Sequence, residues 1–493
     1  MLLHEWLERA SEELGNAKAL VYRDNYLSWR GLRHRVERRA QEFHAMGIKE
    51  GDWVGLMLGN VPDFVILALA LSKLGAAIAP IDPTTATREF ELMMDTVPLR
   101  ALITRPRGSD GQPASAEPAR RPPFRLVEDK KPKNDIAETR RRLQGTLLMC
   151  SVFKRPPPDS KLEPEVILFT ADSAGDPKGV LRTRENLEAI ADNVSSGLEV
   201  DGKTQVLTAV PLFHAYGWDF GFLAPMKHGA TMYLEEELSA KRVAKILKEE
   251  DVDILPGTPS LYAGLGKMVT AKPLKRKGAR FVSAGSRLDA EVAEAFRERY
   301  GVRLMSAYHT TETSLVSLDK STKSPTSVGK IIDGIEMRLS GSDGSKIGPN
   351  EKGVIWVRGE TVAAASMGPY EPLALRAGRV PVGGRDQEGW FRTGDVGRCD
   401  KSGRLFIEGR EDDLVKVDGK RVALGEVEGC LEAFPKVKRA QALVITDPLA
   451  GQIVVARVVA SAKCQAEEII DHCARNLAPY KVPRRIEFCD SLD

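Results

Sequence analysis

The chain has 493 residues, about three times the ~150 residues of an average domain, so two or three packed units are expected. Hydrophobic residues at 42%, charged residues at 29%, 43 Gly and 29 Pro exclude a collagen-like or disordered chain. With 72 Lys and Arg against 69 Asp and Glu, the net charge of +3 is too small for the basic footprint of a nucleic-acid binder.

At the start, Glu5, Glu8, Glu12 and Glu13 alternate with apolar residues, which predicts an amphipathic helix and not the basic-then-apolar pattern of a secretory signal. A cytoplasmic protein is the resulting expectation. Helical spacing through Val36, Ala40 and Phe43 predicts a helix over Leu32 to Met46, and the turn at Gly51-Asp52 leads into a strand over Trp53 to Leu58. A second helix, Asp63 to Leu74, is followed by a strand over Ala76 to Ile81. The longest apolar stretch, Phe64 to Leu71, is interrupted at Ser72 and Lys73 well short of the ~20 residues a membrane span needs, so it reads as a buried core helix.

Residues 104 to 163 are dominated by Arg, Pro, Ser and Lys and read mostly as a surface excursion. Alternation then resumes: strand Val166 to Phe169, helix 184–198, strand 205–210, helix 238–249, strand 280–284, helix 288–299 and strand 302–308. Helices alternating with strands at this spacing predict an α/β fold with a mainly parallel sheet and helices on its faces. Short strands and Gly-rich turns between Gly353 and Glu408 suggest a β-rich subdomain, placed at about 330–408. After Gly409 come a strand, Leu414 to Val417, and two amphipathic helices near 424–434 and 465–476, which fit a small α+β tail domain. The expected division is therefore 1–411 and 412–493. The six cysteines, Cys150, Cys399, Cys430, Cys464, Cys473 and Cys489, form no C-x-x-C pair and are assigned to packing.

Four segments carry chemistry. Phe169-Thr-Ala-Asp-Ser-Ala-Gly-Asp-Pro-Lys-Gly-Val180 is a polar loop after a buried strand, where small residues, hydroxyls and Lys178 could receive a phosphate; alone it reads equally as a surface turn. It lacks the Walker spacing. Ser306-Ala-Tyr-His-Thr-Thr-Glu312 ends a predicted strand, and its carboxylate beside two threonines suits Mg²⁺ or a capped turn. In Gly389-Trp-Phe-Arg-Thr-Gly-Asp395 the aspartate could accept from a ribose diol. The fourth is Gly409-Arg-Glu-Asp-Asp-Leu-Val-Lys416, followed by Gly419-Lys-Arg421 and Gly425-Glu-Val-Glu428.

In this order the four segments resemble the adenylate-forming superfamily of acyl-CoA synthetases, luciferases and peptide-synthetase adenylation domains. Pro211-Leu-Phe-His-Ala-Tyr-Gly217, Leu255-Pro-Gly-Thr-Pro-Ser-Leu261 and Ser283-Ala-Gly-Ser286 extend the resemblance over nearly the whole chain. It implies layered α/β subdomains and a β-rich subdomain, with a small mobile C-terminal domain. It also implies an ATP site whose phosphates meet Thr170, Ser173, Gly175 and Lys178, with Tyr308 on the adenine and Ala284 and Gly285 along its edge. Thr311 would touch the α-phosphate, Glu312 would hold Mg²⁺, and Asp395 and Arg410 would bind the ribose. His214 falls in the segment that lines the carboxylate pocket in this family, though a lone histidine there reads also as a core residue. Asp412 matches the hinge.

The implied reaction is ATP-dependent, AMP-forming activation of a fatty or aryl acid through an acyl-adenylate, then thioester formation with coenzyme A. A carrier-protein phosphopantetheine is the alternative acceptor, and a degenerate homologue that only binds nucleotide is a third reading. Two departures bear on this. The family loop Thr-Ser-Gly-Thr-Thr-Gly-x-Pro-Lys-Gly is altered at Ala171, Asp172, Ser173 and Ala174, and a carboxylate ~4 Å from a phosphate charge costs about 1 kcal/mol even in water. The lead-in Ala478-Pro-Tyr-Lys-Val-Pro483 normally continues to a Gly-Lys pair, whereas here the sequence stops at Asp493, which is read as truncation. Lys481 belongs to the lead-in and does not replace that lysine. The apolar Phe213, Tyr216, Trp218 and Phe220 fit either a hydrophobic acyl pocket or plain core.

Overall fold

The computed structural model describes residues 2–85, 87–105, 139–153, 163–171, 177–236, 239–268, 273–274, 276, 278–321, 326–341, 345, 347–368, 385–386, 388–411, 414–417, 420–447, 451–477, 481–490 and 492. By packing, the chain divides into two units, Met1–Glu336 with Val357–Phe391, and Met337–Trp356 with Arg392–Asp493. The stretch expected as one β-rich subdomain is thus shared between them.

The first unit holds two large sheets. In one, the strands Met305–Thr310, Arg280–Ser283, Ile254–Gly257, Gln205–Thr208, Thr231–Leu234 and Lys18–Tyr22 run parallel, with antiparallel strands at both edges. In the other, Val166–Ala171, Ala77–Pro80, Trp53–Met57 and Ala101–Thr104 are parallel, again edged by antiparallel strands. Successive strand residues point to opposite faces, so buried parallel strands feed two cores at once. Val206, Met232, Ile254 and Val282 enter one buried cluster, while their neighbours Leu207, Tyr233, Leu255 and Phe281 enter another. The first cluster also takes Val54, Ile78, Ile103 and Leu168 from the other sheet, together with the helices Leu3–Leu14, Trp29–Ala45, Pro62–Lys73 and Arg184–Leu198. These helices therefore lie between the sheets.

Local sequence explains the helices. Phe64 through Ser72 are all buried, as a helix apolar on every side must be. At the start of Arg184–Leu198 the Thr183 hydroxyl accepts from the Asn186 amide, while the Asn186 side chain accepts from the Thr183 amide at 3.0 Å; two donors that the first turn leaves over are thus satisfied.

Part of the expected surface excursion is sheet. Thr139–Arg142 and Met149–Val152 form a hairpin that extends the second sheet beyond Ala101–Thr104, burying Leu143, Leu148 and Cys150. Its three apolar anchors are too few to show a period against the surrounding arginines. Among the β-rich residues, Ala365–Met367 leaves its neighbours and pairs with Pro177–Arg182.

The second unit carries most of a four-stranded sheet in the order Glu336–Ser340, Gly353–Arg358, Phe391–Cys399, Leu405–Arg410. It continues through the hairpin Leu414–Val417 with Lys420–Ala423 and the sheet Val437–Asp447, Gly451–Ala460, Ile486–Phe488. The helices Leu424–Glu432 and Ala466–Asn476 contribute Val427, Leu431, Ile469 and Cys473 to its core. All six cysteines are free, and Cys150 and Cys473 are buried. No helix among the described residues is long and apolar enough to cross a membrane.

Candidate active site

The residues singled out from the sequence fall into two groups, one in each unit. In the first unit Thr170, Ala284, Gly285, Thr311 and Glu312 lie at or just past the carboxyl ends of strands, where open α/β sheets bind ligands, while Lys178 stands at the amino end of its own strand. Thr170 and Lys178 stand directly opposite each other on the antiparallel pair Val166–Ala171 and Pro177–Arg182, both half-buried. Ser173, Gly175 and Asp172 lie outside the described residues, as does Asp412.

On the other sheet, Ser283 pairs with Ser306, so Ala284 and Gly285 leave their strand beside Ala307 and Tyr308. Ala284 and Tyr308 are buried, and Gly285, at φ +90°, has no described residue within 4 Å of where a side chain would begin. The turn that carries Thr311 and Glu312 is pinned from several sides. The Glu312 carbonyl accepts from the Ala363 amide at 2.7 Å, and the Thr313 carbonyl accepts from the Thr361 hydroxyl at 2.9 Å. Thr310 and Thr313 hydroxyls meet at 2.9 Å. Ser314 closes the turn at φ +60°, a left-handed conformation that is unusual for a residue with a side chain.

His214 precedes the short helix Ala215–Trp218 with its ring 4.7 Å from that of Phe213. His214 is exposed, yet partial desolvation pushes its pKa below the ordinary histidine value, against the pull of Asp82. Tyr216 and Phe220 are buried, with Tyr216 donating to the Val282 carbonyl at 2.8 Å and its ring 5.6 Å from His309. Trp218 is fully buried with them, so three of the four aromatics belong to the core and Phe213 alone of the four is half-buried.

Sequence reasoning missed the groups beneath this turn. Asp219 is fully buried and ion-paired to the equally buried Arg182 at 2.6 Å. Burial works to raise the Asp219 pKa, and Arg182, with His309 and Ser314, outweighs it and holds the carboxylate below its usual range.

In the second unit Asp395 and Arg410 are opposite in register, with Nη1 3.4 Å from Oδ1. Gly394, at φ +76°, makes room: a side chain there would come within 3.0 Å of Arg410. Among the described residues no three His, Cys, Asp or Glu converge as a metal cage. What the first unit offers Mg²⁺ is the half-buried Glu312 carboxylate among threonine hydroxyls, hard oxygen donors that fit an ion sharing its shell with phosphates and water. A cleft of about 670 Å³ elsewhere in this unit is lined by Arg23, Arg35, Arg38, Arg105 and Arg142 and contains none of the residues named from sequence.

Residues 7–365 match the model of the AMP-binding enzymes, and residues 426–493 match that of the AMP-binding enzyme C-terminal domain. Sulfoacetate–CoA ligase of Cupriavidus necator is 28% identical over 464 residues, covering 92% of this chain and 86% of that protein. Indoleacetate–CoA ligase of Aromatoleum aromaticum is 26% identical over 504 residues, covering 100% and 95%. The fold matches that of O-succinylbenzoate coenzyme A synthetase from Bacillus subtilis, solved with ATP and magnesium, at a TM-score of 0.79 and 23% identity, covering 99% of this chain and 96% of that one. The chain belongs to the AMP-binding enzyme family, as an acid–thiol ligase of the AMP-forming acyl-CoA synthetase type that uses ATP, Mg²⁺ and coenzyme A.

Proposed function

We propose that this ligase activates a carboxylic acid with a hydrophobic body, fatty or aryl, and that the residues named above divide the work as follows. Thr170 and Lys178 receive the phosphates of ATP, Thr311 reaches the α-phosphate, and Tyr308 with Ala284 and Gly285 receives the adenine. Asp395 and Arg410 take the ribose hydroxyls. The observation that carries this reading is the placement of Lys178 opposite Thr170 on one strand pair whose far end, Arg182, is bonded to the Thr311 carbonyl at 2.7 Å.

A carboxylate is a poor electrophile, so its oxygen attacks the α-phosphorus and the bond to pyrophosphate breaks. Lys178 offsets the charge that gathers there. Bound at Glu312, Mg²⁺ would neutralise phosphate oxygens. The acyl-adenylate carbon is then attacked by a thiolate sulfur, its bond to the AMP oxygen breaks, and a thioester forms. Two easier steps replace one hard one. His214 borders the acid and, with its lowered pKa, is neutral at pH 7 and adds no charge to that pocket.

Pyrophosphate release over acids of graded chain length tests this reading, with Glu312→Ala as control. Turnover on the preferred acid should fall about 10²–10³-fold in the variant. Equal rates in wild type and variant would remove Glu312 from the site. Coenzyme A and a carrier-bound phosphopantetheine present the same thiol, and supplying each in parallel identifies the acceptor.

A further inference from the structure

Beneath the Thr311–Glu312 turn the chain buries a charge that the reaction itself does not use. Asp219 begins a π-helical turn, Asp219–Leu223, between the two sheets. Its Oδ1 accepts from Arg182 at 2.6 Å, and its Oδ2 accepts from the Ser314 hydroxyl at 2.7 Å and lies 2.9 Å from His309 Nε2. Arg182 spends a second donor on the Thr311 carbonyl at 2.7 Å.

The partners sort in one way. Arg182 ends the strand that begins next to Lys178, and residues 178 and 182 lie on the same face of it, two pleats apart. His309, Thr311 and Ser314 surround Glu312 on the other sheet. A single carboxylate therefore ties the strand bearing the candidate cation to the turn bearing the candidate metal ligand.

Stability alone is a weak account of such a group. Taking an ion pair out of water costs several kcal/mol per ion, and an apolar pair of the same volume is often as stable or more so. A fixed carbonyl and a held left-handed serine are what an apolar pair could not supply. Strained residues of this kind persist only where their surroundings over-determine them.

We propose that Asp219 and Arg182 are positioning residues, which set the Thr311–Glu312 turn against the Lys178 strand so that both reach the same nucleotide. This rests on the site reading above.

The test uses the full chain in three forms: wild type, Arg182→Lys, and the double variant Arg182→Met with Asp219→Leu. Lysine keeps the buried charge and gives up the forked reach to Thr311. The apolar pair removes the charge while filling the space, so it keeps a folded core even where a single substitution would not. In both variants kcat for pyrophosphate release should fall about 100-fold, the cost of a displacement near 1 Å. KM for the acid should stay within about threefold, because both substituted side chains are fully buried. If the double variant melts like wild type and turns over like it, Asp219 and Arg182 are structural and the inference is overturned. A rise in acid KM with kcat unchanged overturns it as well. An active wild type with unimpaired variants removes only this inference; a wild type that supports no ATP–pyrophosphate exchange with any acid removes it together with the site reading.

Discussion

At Gly217 a single methyl group has nowhere to go. A side-chain carbon there would lie 2.1 Å from the Pro211 carbonyl oxygen and 2.7 Å from that of Val210, and at Gly221 it would meet Thr208 Cγ2 at 2.5 Å. The two glycines let the segment carrying His214 and Asp219 press against the end of the strand Gln205–Thr208, where the Thr208 hydroxyl donates to the Gly221 carbonyl at 2.8 Å. Gly217→Ala should cost about 2–3 kcal/mol, read as a lower urea midpoint with an unchanged slope. Gly429 is the contrast. It sits inside the helix Leu424–Glu432, exposed, with no described residue within 4 Å of where a side chain would begin. Gly429→Ala should stabilise by about 0.5–1 kcal/mol, since alanine restricts the unfolded chain and favours the helix. Equal destabilisation at both positions would mean that close approach at Gly217 is not what fixes its identity.

Among the elements, Glu165 joins three. Its Oε1 accepts from the Leu3 amide at 3.1 Å, at the start of the first helix, and from the Ser72 hydroxyl at 2.9 Å, near the end of Pro62–Lys73, while Oε2 has no partner among the described residues. Burial raises its pKa above the usual carboxylate value, outweighing those two donors. A raised pKa means the folded state prefers the protonated acid, so this group favours folding below its unfolded pKa and that contribution is lost as pH rises through the folded value. Glu165→Gln, which keeps the acceptor and removes the charge, should raise the Tm by about 1–2 °C at pH 8 and by less at pH 4.5. A larger gain at pH 4.5 would reverse the sign and rule out the buried charge as the cause. Elements of this kind were legible where one period dominates: the helix predicted over 184–198 is Arg184–Leu198, and the strand predicted over Leu414 to Val417 is Leu414–Val417. Pairing was not legible. The hairpin at Thr139–Val152 docks on the distant strand Ala101–Thr104, and the long one of Val437–Asp447 with Gly451–Ala460 is joined by Ile486–Phe488, partners that no local window contains. The site divides the same way. Thr170, Lys178 and Glu312 announce themselves by motif, whereas Arg182 and Asp219, 37 residues apart, look like an ordinary strand end and an ordinary polar residue among aromatics.

For the whole molecule, the question is how one chain performs two chemically different displacements on one acyl group. The chain packs as two units; the pair Asp395–Arg410, proposed for the ribose, belongs to the second, while the residues proposed for the phosphates and adenine belong to the first. On the proposed reading the small C-terminal part would turn between the half-reactions, and the candidate hinge from the sequence is Asp412, two residues after Arg410. A swivel needs free rotation about φ. Proline fixes φ near −65° and removes the amide hydrogen, so Asp412→Pro should hold the chain in one orientation. The expected result is a split: ATP–pyrophosphate exchange within about threefold of wild type, and thioester formation from supplied acyl-adenylate lowered by about 100-fold. Both half-reactions are measured on one preparation, so misfolding would show as loss of both. Retention of both would move the pivot away from Asp412, and loss of exchange alone would put this residue in the adenylation step itself. The split separates a joint from a binding residue because a group that touches the nucleotide cannot be rigidified without cost to the step that consumes it.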